Sequence, residues 1–136
     1  SLWRIGVQDP WNPRGNYLGI IQTRDTAVAT SGKYERFLLE GDKRYHHLLD
    51  TATGRPIENG IASVTIGSSD ATEADAFSTM VFALGMPGGY QFLRKSESAE
   101  GLIILEDKRV FVTPGLEDFF RLIDDSYSIT DVREAF

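Results

Sequence analysis

Residues Ile61 to Leu84 read IASVTIGSSDATEADAFSTMVFAL, and the chain changes character inside this stretch. Ile61 to Ser68 is a short run rich in β-branched residues, the signature of a strand. Asp70 to Leu84 is the strongest helix signal in the chain. Asp70 can cap it, Glu73 stands three residues on in a capping-box arrangement, and Gly85 supplies the stop. Ala71, Ala74, Phe77, Val81 and Leu84 are the expected core residues of that helix.

Working outward, the flanks are mostly strand. On the N-terminal side, Leu2 to Gln8 places Trp3, Ile5 and Val7 on one face, and Asp9 to Gly15 (DPWNPRG) is a loop marked by proline and glycine. NYLGIIQT and TAVATS are two further β segments around a turn at Arg24-Asp25. ERFLLEGDKRYHHLLD reads as a hairpin with Glu40 to Lys43 at its tip, and TATGRP as a turn. On the C-terminal side, GGYQFLRK suggests a short second helix, and GLIILEDKRVFVT a hairpin turning at Glu106-Asp107-Lys108. GLEDFFRLI reads as a short helical turn, and the tail SYSITDVREAF is ambiguous. The expected class is therefore α+β: a mostly antiparallel sheet with one main helix, about residues 70–84, packed on one side. No repeat or linker divides the chain, so residues 1–136 are expected to form a single domain.

Composition narrows the functional classes. The 136 residues suffice for a core without staples. The net charge is −6, with no basic run, which argues against nucleic acid or an anionic membrane as the main partner. A phosphorylated small molecule stays open, because one metal ion or a few backbone N–H groups can bind phosphate locally. The chain has no cysteine, which excludes thiol catalysis, disulfides and zinc–thiolate sites. No apolar run is long enough to span a bilayer as a helix.

Three sets of residues could carry chemistry. Asp75 and Thr79 are spaced i, i+4, so both side chains lie on one helix face. A carboxylate and a hydroxyl so placed can ligate a hard cation such as Mg²⁺. The plainer alternative is an acid complementing the helix dipole and a threonine bonding back to a carbonyl. The second set is RYHHLLDTATGRP (44–56), which holds both histidines. If Tyr45 to Asp50 is a strand, His46 and His47 point to opposite faces and cannot act as a pair. One of them beside a phosphate could serve as a general base, a role worth roughly 10²–10⁴ in rate; the alternative is a strand histidine satisfied by hydrogen bonds. The third set is Thr30, Ser31 and Gly32, in ATSGKY, with two hydroxyls and a backbone open to close approach. Taken alone, it is a turn.

In combination and in order, these segments resemble the C-terminal half of the FAD:protein FMN transferase (ApbE-type) family. AVATSGKY, RYHHLLDTATGRP and SVTIGSSDATEADAFSTMVFALG follow that family's pattern of T-S-G-x-Y, H-I/L-x-D-P-x-T-G-x-P, S-V-T-V, A-D-A-x-x-T and a closing L-G. WRIGVQDP and RVFVTPGLEDFF are also similar to family segments. The resemblance implies Mg²⁺ ligands at Asp75 and Thr79, and a catalytic histidine at His47, not His46. It further implies FAD contacts at Thr30, Ser31, Gly32, His47 and Asp50, with Asp50, Thr53 and Gly54 shaping the turn that carries the histidine. The implied chemistry is Mg²⁺-dependent transfer of FMN from FAD to a threonine or serine hydroxyl of a target flavoprotein, releasing AMP; water in place of the hydroxyl would give FAD hydrolysis.

Two departures stand out. Thr51 occupies the position after Asp50 where the family usually has proline. The family's glycine- and alanine-rich GGIAKGYA-like segment, which belongs to its first half, has no counterpart here, and the chain opens inside a strand. The expectation is thus the C-terminal part of a longer flavin transferase, inactive by itself. The alternative is a non-catalytic flavin- or nucleotide-binding module lacking the N-terminal half of the site; a structural domain with a protein partner is a third reading. By family analogy, the location is the outer face of the cytoplasmic membrane or the periplasm.

Overall fold

The computed structural model describes residues 2–12, 15–33, 37–40, 43–46, 51–55 and 57–135. In chain order they form β1 (Trp3–Gln8), β2 (Tyr17–Thr23), β3 (Ala27–Gly32), β4 (Phe37–Glu40), β5 (Lys43–His46) and β6 (Ile61–Ser68). Then come α1 (Ala71–Leu84), α2 (Gly88–Lys95), β7 (Ala99–Leu105), β8 (Arg109–Val112), α3 (Pro114–Glu117), β9 (Phe120–Leu122), β10 (Ser128–Ile129) and α4 (Val132–Ala135). The class is α+β, as expected, and among the described residues every strand pairing is antiparallel except that of β10 with β8.

A five-stranded sheet in the order β10-β8-β7-β6-β3 forms the middle layer. Strands with one wet face alternate apolar and polar residues, whereas β7 carries Leu102, Ile103, Ile104 and Leu105 in unbroken succession. Both of its faces are covered. Ile103 and Leu105 join Val64, Ile66 and Phe111 in a cluster with Ala74, Val81 and Phe82 of α1 and Tyr90 and Leu93 of α2. Leu102 and Ile104 join Val110 and Val112 on the opposite face, against Val7, Leu18, Ile21 and Phe120 of a second sheet, β1-β2-β9. Helices α1 and α2 lie on one side of the central sheet, and the smaller sheet, with Leu116 of α3, on the other.

The helix signal is realised over Ala71–Leu84, with Asp70 as N-cap accepting from the amides of Thr72 at 2.9 Å and Glu73 at 3.3 Å. The reciprocal half of the capping box is absent. Glu73 instead accepts a hydrogen bond from Ser98 Oγ, and the Asp70 amide donates to Ser68 Oγ. The buried stripe is Ala74, Ser78, Val81 and Phe82, while Ala71 and Leu84, in the first and last turns, are exposed. Phe77 is half-buried and packs edge-on against Phe92 of α2 with ring centroids 5.0 Å apart.

Other expectations fare unevenly. The Glu106–Lys108 turn joins β7 to β8, with Lys108 at φ 71°, and β4 and β5 pair as the expected hairpin. GLEDFFRLI is helical only at its start: α3 stops at Glu117, and Phe120–Leu122 is strand β9, paired with β2. Phe120 is buried in the second cluster, and burying that ring between the two sheets outweighs a continued turn. The Arg24-Asp25 turn does not make a hairpin. It carries the chain from the smaller sheet to the edge strand of the larger one. Trp3, although on the inward face with Val7, is 76% exposed.

Candidate functional site

The site grows from the edge strand β3 and the outward side of α1. Alternation along β3 turns Ser31 toward the helix and Thr30 and Gly32 to the opposite face. Ser31, buried, meets Ser78 Oγ at 2.8 Å and Thr79 Oγ1 at 3.3 Å. Ser78 and Thr79 each donate back to the Asp75 carbonyl, at 2.8 and 3.4 Å. Three hydroxyls therefore tie the edge strand to one turn of helix. Thr30 Oγ1 pairs with Thr65 Oγ1 at 2.9 Å across the β3–β6 ladder, in register.

The structure brings Asp75, Thr79 and Ser31 together and leaves the first two exposed. The Asp75 carboxylate has no partner among the described residues; only its carbonyl is engaged. That donor set, a free carboxylate and a hydroxyl one turn apart with a second hydroxyl behind, is all oxygen and fits a hard cation such as Mg²⁺. Among the described residues no cluster of three or more His, Cys, Asp or Glu could hold a metal, so a cation here would draw its remaining ligands from water or substrate oxygens.

His47 and Asp50 lie outside the described residues. His46 is the last residue of β5. Beyond it, the turn expected around Thr53 and Gly54 is present: Thr53 Oγ1 accepts from the Arg55 amide at 3.2 Å, and Gly54 has φ +70°, where glycine is unstrained.

Lys33 follows the Thr30–Gly32 segment and was not singled out by its sequence. Its side chain is buried, and Nζ donates to Glu58 at 2.9 Å and to Glu106. Burial disfavours the ammonium, yet the hydrogen bonds to Glu106 and Glu58 outweigh it and hold the pKa above the ordinary lysine value. Its amide also donates to the Ala62 carbonyl, so the end of β3 is anchored twice. Nothing local marks this triad, because the two acids lie 25 and 73 residues away. Ser78 did carry a signal: it falls on the inward stripe between Ala74 and Val81, where a hydroxyl needs a partner.

Known proteins match this chain over a range that includes β3 and α1. The ApbE family model matches residues 1–103. The chain is 37% identical over 122 residues to a FAD:protein FMN transferase of Treponema pallidum, covering 90% of this chain and 34% of that protein. It is 30% identical to one of Klebsiella pneumoniae, covering 95% of this chain and 41% of that protein. The crystal structure of the ApbE protein from Thermotoga maritima superimposes with a TM-score of 0.77 at 38% identity, over 88% of this chain and 38% of that one. The flavin transferase ApbE from Vibrio cholerae does so with a TM-score of 0.69 at 28% identity, over 86% and 37%. The chain thus spans roughly a third to two-fifths of the length of these relatives. With the family model covering most of its length and the fold shared, the chain belongs to the ApbE family.

Proposed function

We propose that the protein carrying this chain transfers FMN from FAD to a threonine or serine hydroxyl of a target flavoprotein, with Mg²⁺ held at Asp75 and Thr79. The observation that supports it best is the oxygen cluster of Asp75, Thr79 and Ser31, which joins the edge strand to α1 in a chain of this family. Bound Mg²⁺ would offset the negative charge of the FAD pyrophosphate. In the reaction, the acceptor hydroxyl oxygen bonds to the FMN phosphorus while the bond from that phosphorus to the AMP oxygen breaks. The hydroxyl proton passes to His47 as general base, and AMP leaves. Thr30, Ser31, Gly32, His47 and Asp50 line the FAD in this reading. Water in place of the hydroxyl gives FMN and AMP.

The alternative is a flavin- or nucleotide-binding module without catalysis. Incubating the full-length protein, as encoded, with FAD, Mg²⁺ and an acceptor flavoprotein separates the two. The transferase releases one AMP per FMN attached and stops on chelation of the metal. Tight FAD binding without AMP would establish the module instead. Export to the outer face of the cytoplasmic membrane or the periplasm belongs to the same proposal, and cell fractionation tests it.

A further inference from the structure

At Lys33 the chain leaves β3 for residues 34–57, and at Glu58 it returns, just ahead of β6. That excursion holds the β4–β5 hairpin and both histidines. The hairpin is a two-stranded sheet of its own. No strand pairing among the described residues joins it to either larger sheet, so the way the two ends of the excursion are held bears on where it sits.

Both ends converge on one ammonium. The outgoing end is fixed by the Lys33 amide, which donates to the Ala62 carbonyl at 3.1 Å. At the returning end, Asn59 Nδ2 donates to the Phe82 carbonyl of α1 at 2.6 Å, and the Gly60 carbonyl accepts from the Glu106 amide at 2.8 Å. Lys33 Nζ crosses between the two, donating to Glu58 at 2.9 Å and to Glu106 in the β7–β8 turn. The lysine side chain is 7% exposed, those of Glu58 and Glu106 66% and 38%. Net stability is a poor reason to bury a lysine this way. Desolvating the ammonium offsets much of what its ion pairs return, and the best-attested use of buried ion pairs is to fix register. Here they fix the two ends of one excursion against each other and against the central sheet.

We infer that Lys33 is a positioning residue for the flavin transfer: its ion pairs with Glu58 and Glu106 clamp the base of residues 34–57 to the central sheet, and so keep the excursion that carries His47 aligned with Asp75 and Thr79 on α1. The buried lysine touches neither nucleotide nor metal. It acts through the chain it clamps. This inference rests on the reading of His47 as the general base of the proposed transfer.

The test follows AMP release by the full-length protein with Mg²⁺ and acceptor flavoprotein over a range of FAD concentrations. Lys33→Met fills the buried space with an apolar chain and leaves behind two acids that water can reach. It should lower kcat about 10- to 100-fold, the cost of misplacing a reacting group from a distance, with the KM for FAD within about twofold of wild type. Glu58→Ala, at an exposed carboxylate, should lower kcat as well, and Glu58→Gln, which still accepts from Nζ, should restore most of it. Should Lys33→Met fail to fold, the two Glu58 variants decide. Tyr127→Phe, which removes a buried hydrogen bond to Asp9, is the control for stability alone and should keep the wild-type kcat. Wild-type kcat in both Lys33→Met and Glu58→Ala would overturn the inference while leaving the proposed function standing. A raised KM with unchanged kcat would overturn it too, by placing Lys33 in FAD binding. So would an equal fall of kcat in Tyr127→Phe, by tying the rate to overall stability. Failure of wild type to release AMP would bring down the functional reading and this inference with it.

Discussion

Asp75 and Thr79 owe their interest to what the fold leaves free. Both are exposed, and the Asp75 carboxylate is unengaged among the described residues while neighbouring hydroxyls occupy its carbonyl. Asp75→Ala in the full-length protein should abolish both AMP release and its Mg²⁺ dependence, a loss of at least 10²-fold for removal of a charge-stabilising group. Mg²⁺-stimulated turnover surviving in that variant would refute the metal site. The histidines provide a second residue-scale prediction. His47→Ala should lower AMP release by about 10²–10⁴, the usual worth of a general base, and His46→Ala should keep most of it. Equal losses would refute the assignment of His47. At this scale the i, i+4 spacing of Asp75 and Thr79 was readable in the sequence, because it depends only on helical geometry. The engagement of Ser31 by Ser78, 47 residues away, was not.

At the scale of elements, α1 and α2 pack through a glycine. A Cβ on Gly89 would lie 2.8 Å from the Val81 carbonyl oxygen and 2.9 Å from Val81 Cγ1, and a backbone carbonyl cannot swing aside. The neighbouring Gly88 has open space at the same atom. Gly89→Ala should therefore cost about 1–3 kcal/mol, by forcing α2 off α1. Gly88→Ala should be neutral or gain up to about 1 kcal/mol from helix propensity. Urea denaturation of the two variants checks this; equal effects would show that the helices adjust freely. Element boundaries followed local chemistry well where caps and turns were strong, as at Asp70, Gly85 and Lys108. They failed at Phe119-Phe120, where helical and strand patterns are both locally acceptable and burial against the central sheet decides.

Across the whole molecule, the C-terminal region is tied to the N-terminal sheet by a buried hydrogen bond from Tyr127 Oη to Asp9 Oδ1, 2.6 Å long and spanning 118 positions. Burial pushes the Asp9 carboxyl up, but the hydrogen bonds from Tyr127, the Trp11 amide and Asn12 prevail and hold its pKa below the ordinary 3.8. A carboxyl depressed in the folded state contributes stability above its unfolded value, and that contribution fades as pH falls through the lowered value. Tyr127→Phe should thus cost about 1–3 kcal/mol at pH 7. The gap to wild type should narrow as the pH drops below about 3.8. Denaturation curves at pH 7 and pH 3 with the same gap would contradict this. By itself the sequence determined the α+β class, the main helix with its cap, and the places of Asp75 and Thr79 on one helix face. Those follow from periods and caps within a few residues of each position. Thr30, Ser31 and Gly32, which taken alone read as a turn, lie instead within strand β3, because pairing with β6 carries the extended backbone through them. Only the tertiary structure decided that β2 and β3 belong to different sheets, that Lys33 sits between Glu58 and Glu106, and that Ser31 meets Ser78 and Thr79. Each of these depends on register and packing between segments far apart in the chain, which no local pattern encodes.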